Sequence, residues 1–169
     1  MERDGLLAVL RRAMEVERDG FQFYALAAER SEDVGAKETF ARLAAEEKMH
    51  YEALQRHQRV LIEAGTWDDE VFLDEAHTFD PSPEIFSEGF RRRLQGKHLE
   101  MSALSIGILL EKNAIEFYLH AADAATEDRV RSFFRELANW EDGHYQMLLR
   151  HDEALKEEYW NENRFAPLL

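Results

Sequence analysis

The sequence predicts an all-α protein, a four-helix bundle made of two repeated helical hairpins with a long crossover connection. The chain has only three prolines and eight glycines, too few for the many turns of an all-β fold. It also aligns with itself without a gap after a shift of 94 residues. Residues 17–61 and 111–155 share 15 identities, where average composition would give about three. Each half is therefore one helical hairpin.

Apolar periodicity divides the chain further, within a single predicted domain over residues 1–169. The predicted helices cover about 5–30, 35–63, 99–125 and 128–158. Hairpin one spans about 5–64, the crossover about 65–98, hairpin two about 99–158 and a tail 159–169. Because the turns inside the hairpins are short and polar, the two helices of each hairpin should be antiparallel neighbours.

The composition of the crossover indicates an interface with a partner chain. It contains Pro81 and Pro83 and much acid. A connection this long must run the length of the bundle or reach a partner chain. We expect a homodimer, because aromatic residues that look exposed need to be covered. These residues are Trp67, Phe72, Phe79, Phe86 and Phe90.

Composition excludes several classes of function. A net charge of −14 argues against a nucleic-acid partner. No apolar run approaches the roughly 18–20 residues that span a bilayer, and no secretory signal pattern is present. We therefore expect a soluble, cytoplasmic protein with no membrane partner. Since cysteine is absent, any metal must be held by carboxylate and imidazole groups.

One level of the predicted core is polar. The second and fourth helices each carry an E-x-x-H pair on a stripe that is otherwise almost wholly apolar, and each pair has a core glutamate 30 residues upstream. Burying four bare carboxylates would cost many kcal/mol, whereas two divalent cations neutralise them. The pattern predicts a two-metal site that suits two iron ions, with manganese or zinc as alternatives. The predicted ligands are Glu17, Glu47, His50, Glu111, Glu141 and His144.

Two tyrosines belong to the same stripes. Tyr24 and Tyr118 follow Glu17 and Glu111 by seven residues, about 10 Å along the helix axis. We expect their hydroxyls to hydrogen-bond a ligating carboxylate; the alternative is that they only pack in the core. On the first helix, the predicted stripe also includes Leu10, Met14, Phe21 and Ala28.

These motifs resemble the rubrerythrin/erythrin branch of the ferritin-like superfamily. The matching segments are ERDGFQFY (17–24) with LAAEEKMH (43–50), and EKNAIEFY (111–118) with LANWEDGH (137–144). The resemblance implies a ferritin-like bundle with a carboxylate-bridged di-iron centre. It also implies a reaction in which that centre reduces hydrogen peroxide or dioxygen, or oxidises ferrous iron.

The chain departs from rubrerythrins in two respects. Rubrerythrins proper carry a rubredoxin domain with four cysteines, so here electrons would have to come from a separate donor or from ferrous iron. They also carry glutamates at the positions of Ala114 and His144. A set of two histidines and four glutamates is closer to bacterioferritin. We therefore expect a more symmetric centre, without the redox-linked ligand exchange of rubrerythrin.

The sequence leaves three functions open. It favours a di-iron oxidoreductase that reduces peroxide or dioxygen with electrons from an external donor, with Tyr24 and Tyr118 beside the metals. The first alternative is a ferroxidase or iron-handling protein that uses the same site. The second is a structural bundle in which the metals only hold the helices together.

Overall fold

The computed structural model of the chain describes residues 2–67 and 98–162. Within these ranges the backbone forms four helices and no strand. The helices are α1 (Arg3–Arg30), α2 (Val34–Glu63), α3 (His98–Ala124) and α4 (Asp128–Glu162). The predicted all-α four-helix bundle is confirmed, with helix ends that differ from the predicted ones by four residues at most. Most of the crossover and the end of the tail lie outside the described residues.

The helix ends are defined by local hydrogen bonds. Asp33 begins α2 by accepting a hydrogen bond from the backbone N–H of Ala36 at 3.0 Å. Ser31 follows α1, and its hydroxyl donates to the carbonyl of Ala27 at 2.7 Å. After α3, Arg131 donates to the carbonyl of Ala125 at 2.8 Å. These short turns make α1 and α2, and likewise α3 and α4, the closest helix neighbours.

The core consists of two apolar clusters with a polar layer between them. One cluster holds Tyr24 and Phe40, whose rings stack with centroids 6.2 Å apart and an interplanar angle of 15°. The other holds Tyr118 and Phe134, which stack at 6.2 Å and 18°. These pairs are equivalent positions of the 94-residue repeat. The internal sequence repeat is therefore also a repeat of core packing.

The predicted stripe on α1 was partly wrong. Phe21 is 36% exposed, and Gly20 beside it is buried, whereas Met14 is half-buried and packs against the core. At Gly20 an added Cβ would lie 3.1 Å from Glu47 Oε2 of α2, so this position needs a small residue. α1 also packs on α3. At Gly107 of α3, an added Cβ would lie 3.1 Å from the Tyr24 hydroxyl, so the close approach of these helices needs residues without bulk.

Trp67, which looked exposed from the sequence, is buried at the end of the bundle. Its indole stacks on His57 with ring centroids 3.9 Å apart, and Phe133 contacts both rings edge-on. The start of the crossover is thus part of the core. The four phenylalanines named with Trp67 lie outside the described residues.

Among the described residues, no helix combines the length and the apolar character that spanning a bilayer requires.

The repeated packing predicts matched losses of stability. Phe40→Ala and Phe134→Ala should each lower the free energy of unfolding by about 3–5 kcal/mol, because each removes a fully buried ring. The control Leu26→Ala, on an exposed side chain, should change it by about 0.5 kcal/mol or less. Urea unfolding followed by circular dichroism measures all three. A small effect at either phenylalanine would contradict the equivalence of the two clusters.

Candidate metal centre

A buried layer of glutamate and histidine crosses the middle of the bundle. α1 and α3 each contribute one glutamate, and α2 and α4 each contribute a glutamate and a histidine three residues later. Since residues i and i+3 share a helix face, both members of each pair point inward. All six side chains are buried: Glu17, Glu47, His50, Glu111, Glu141 and His144.

The six residues form two overlapping groups. Glu17 and His50 belong to one group, Glu111 and His144 to the other, and Glu47 with Glu141 to both. Within each group the four donor atoms lie within 4.8 Å of one another. The structure therefore brings together all six residues that the sequence singled out. It arranges them as two adjacent positions that share two carboxylates.

Both imidazoles turn the same nitrogen toward the carboxylates. His50 Nδ1 lies 3.0 Å from Glu141 Oε1 and 3.2 Å from Glu17 Oε2. His144 Nδ1 lies 3.2 Å from Glu141 Oε2 and 3.5 Å from Glu47 Oε1. Each Nδ1 is thus available as a donor to a cation among the carboxylates, while each Nε2 points away from the layer.

The layer holds protons when no cation neutralises it. Burial raises the pKa of Glu47, and burial together with the charge of Glu141 raises that of Glu111 to about 8. Burial lowers the pKa of His50, but the carboxylates of Glu141 and Glu17 outweigh it and raise that pKa to about 10. A divalent cation that enters must displace these protons.

Two carboxylate oxygens support the fit to metal ions. Glu47 Oε1 and Glu141 Oε1 are buried and receive no hydrogen bond within the described residues. A ring nitrogen lies 3.0–3.5 Å from each but outside hydrogen-bonding geometry. Both oxygens belong to the glutamates that the two groups share. Four glutamates also balance two divalent cations in charge, so this buried cluster fits a di-iron site.

The tyrosines connect the two hairpins. The Tyr24 hydroxyl donates to Glu111 Oε1, and the Tyr118 hydroxyl donates to Glu17 Oε1. The sequence predicted hydrogen bonds to the carboxylate layer but not this exchange, in which each tyrosine binds the glutamate of the other hairpin. Burial, followed by the nearby carboxylates, raises the pKa of both tyrosines, so both remain protonated donors.

A cavity of about 200 Å³ leads to one side of the layer. At its buried end lie Glu47, Glu111 and Tyr24. Its wall includes Ala114 and Gly20. A Cβ added at Gly20 would lie 3.1 Å from Glu47 Oε2. Its outer wall carries the exposed residues Arg12, Asp19 and Asn113. Sequence patterns did not identify Gly20, because a residue without a side chain leaves no mark in a hydrophobic stripe.

Sequence reasoning also missed Glu46. This carboxylate is buried, and its Oε2 lies 2.6 Å from His144 Nε2, on the side of the ring that faces away from the layer. Its position immediately before Glu47 is unremarkable in so acidic a chain. Comparison of the two repeats could have revealed it, because hairpin two has Trp140 at the equivalent position.

Comparison with known proteins gives one result. A family model described as rubrerythrin matches residues 2–58 and 73–152. A search of curated proteins and a search of solved structures each found no match. The matched ranges include all six residues of the layer and both tyrosines.

The pKa shifts predict how the stability of the metal-free protein depends on pH. The native state keeps a proton on Glu111 up to about pH 8, whereas a glutamate in the unfolded chain has a pKa of 4.5. Stability that is complete below pH 4.5 is therefore lost as the pH rises through 8, and the raised pKa of Glu47 acts in the same direction.

Thermal melts between pH 5 and pH 8 test this dependence. With a chelator present, Tm should fall as the pH rises. With Zn²⁺ bound in place of the protons, the fall should be smaller or absent. A Tm that rises with pH in the chelator would contradict the assignment of the protons to this layer.

Proposed function

Because the chain belongs to the rubrerythrin family, we propose that it is a di-iron oxidoreductase that reduces hydrogen peroxide or dioxygen with electrons from a separate donor. The observation that carries the proposal is the buried layer in which two positions share Glu47 and Glu141. In this proposal Glu17 and His50 would hold one iron, Glu111 and His144 would hold the other, and the shared Glu47 and Glu141 would serve both.

Two ferrous ions held there would supply two electrons, with which one hydrogen peroxide takes up two protons to give two waters, and the external donor would restore those electrons. The chain's own residues hold this centre in place. Tyr24 and Tyr118 fix the orientation of Glu111 and Glu17 through their hydrogen bonds. The apolar clusters on both sides of the layer keep bulk water away from it.

The size of the cavity beside Glu47 and Glu111 supports the proposal that the substrate is a small molecule. Its volume of about 200 Å³ accommodates peroxide or dioxygen but no folded protein. In this proposal the oxidant enters between α1 and α3. Because the layer is buried within the described residues, an external donor would pass its electrons through the protein from the surface.

Two experiments distinguish the proposed reaction from a ferroxidase and from a purely structural role of the metals. A ferroxidase that feeds an iron mineral would use the same residues but needs a hollow multi-subunit shell, whereas we propose a homodimer. Light scattering distinguishes a dimer from a shell. A purely structural role for the metals requires that bound iron show no change in absorption between reduced and oxidised protein.

Peroxide consumption tests the proposed reaction. Reduced, iron-loaded protein should consume hydrogen peroxide much faster than the double variant Glu47→Ala/Glu141→Ala, which lacks both shared carboxylates. Stopped-flow absorption measures the rate. The matched control Glu52→Ala/Glu153→Ala changes exposed glutamates of the same helices and should keep the wild-type rate. Equal rates in wild type and the first double variant would refute the reaction.

The cavity predicts a separate effect on access. Ala114→Leu should fill the space and slow peroxide consumption by about tenfold, which corresponds to an increase of about 1.4 kcal/mol in the activation barrier, without changing the absorption spectrum of the bound iron. Gly20→Ala should change that spectrum, because its Cβ must displace Glu47. Ala45→Leu, on an exposed position of α2, is the control. An unchanged rate in Ala114→Leu would exclude this cavity as the route.

A further inference from the structure

The two halves of the metal centre differ at one pair of positions beside the histidines. Glu46 in hairpin one and Trp140 in hairpin two are equivalent in the 94-residue repeat. Each lies against the histidine of the other hairpin: Glu46 against His144, and Trp140 against His50. The six residues of the layer follow the repeat, but the groups behind the two imidazoles do not.

At His144 the outer nitrogen meets a carboxylate. His144 Nε2 donates to Glu46 Oε2 at 2.6 Å, while Nδ1 of the same ring faces the layer. Arg42 lies one helical turn before Glu46, and its Nε is 3.9 Å from Glu46 Oε1. The carboxylate of Glu46 therefore has a guanidinium on one side and the outer nitrogen of His144 on the other, both within ion-pair distance.

At His50 the outer nitrogen meets no carboxylate. His50 Nε2 is buried and has no hydrogen-bond acceptor among the described residues. The imidazole instead contacts Trp140 edge-on, with ring centroids 5.9 Å apart and an interplanar angle of 74°. An indole has a single N–H donor and no acceptor in its plane, so Trp140 cannot take the place of Glu46.

This difference acts on the strength of the two histidines as ligands. A carboxylate that accepts the outer N–H of an imidazole raises the basicity of the other nitrogen and fixes the orientation of the ring. Loss of such a partner costs about 10–100-fold in metal affinity. His144 has this support from a charged group, and His50 does not have it from any described residue.

We propose that the two metal positions are unequal, and that the position formed by Glu111 and His144 binds its divalent cation first and more tightly than the position formed by Glu17 and His50. Glu46 is the positioning residue responsible. The inference rests on the proposed function only in that these residues hold two ions. It replaces the expectation of a symmetric centre: the ligand set is symmetric, but its surroundings are not.

Titration of the metal-free protein with Co²⁺ against a competing chelator tests the inference, because the visible absorption of Co²⁺ reports its ligands. Wild type should bind two ions in two steps that differ about 10–100-fold in affinity. His144→Ala should remove the tighter step, and His50→Ala the weaker one. Glu46→Gln keeps the size of the side chain but not its charge, and should weaken only the tighter step, bringing the two steps together.

Two controls keep the result specific. Glu52→Gln removes the charge of an exposed glutamate on the same helix and should leave both steps unchanged. Arg42→Gln, which removes the cation beside Glu46, should weaken the tighter step less than Glu46→Gln does. If Glu46→Gln does not fold, judged by circular dichroism of the metal-free protein, Arg42→Gln decides the question. Two equal steps in wild type, or equal weakening of both steps by Glu46→Gln or Arg42→Gln, would overturn the inference.

The outcomes for the inference and for the proposed reaction are separable. Two unequal Co²⁺ steps in a protein whose diferrous form does not consume peroxide would uphold the inference and refute the reaction. Peroxide consumption with two equal steps would do the reverse. A protein that binds no more than one ion would overturn both.

Discussion

The burial of four carboxylates at one level of a four-helix bundle governs both how this chain packs and what it can bind. Glutamates placed side by side in an apolar core repel one another, and each has lost its hydration. In the metal-free chain, protons reduce this repulsion. The pKa values of Glu111 and His50 are both raised, so both side chains keep a proton. Two divalent cations would instead neutralise the four carboxylates, which is why the same layer fits a di-iron site.

That constraint also explains why two hairpins must come together. Each of the two overlapping groups takes residues from both hairpins, since Glu47 and Glu141 belong to both. The tyrosines repeat this dependence, because each donates its hydrogen bond to the glutamate of the opposite hairpin. Neither hairpin can complete a position alone. A duplicated unit therefore forms a centre that the single unit could not hold.

Much of the fold and the layer could be predicted from the sequence because both follow from spacing. Helical periodicity gave helix ends within four residues, and the 94-residue repeat placed both E-x-x-H pairs in register. Spacing could not predict which positions need a small side chain, or which residues the tyrosine hydroxyls bind. Gly20 was missed, and Phe21 was wrongly placed inward, because hydrophobicity takes no account of how closely two helices approach. The crossed tyrosine bonds depend on the distance between hairpins, which no local pattern contains.

Glu46 shows a different limit, and it concerns what a repeat means. The repeat was informative where its halves agree, and identities such as His50 with His144 pointed to the layer. The pair Glu46 and Trp140 disagrees, so a search for identities passes over it. Yet at a two-metal centre a difference behind otherwise equal ligands is what allows the two ions to behave differently. Once a duplicated site has been identified by its matches, its mismatches next to the ligands are therefore where functional divergence of the two halves should be sought.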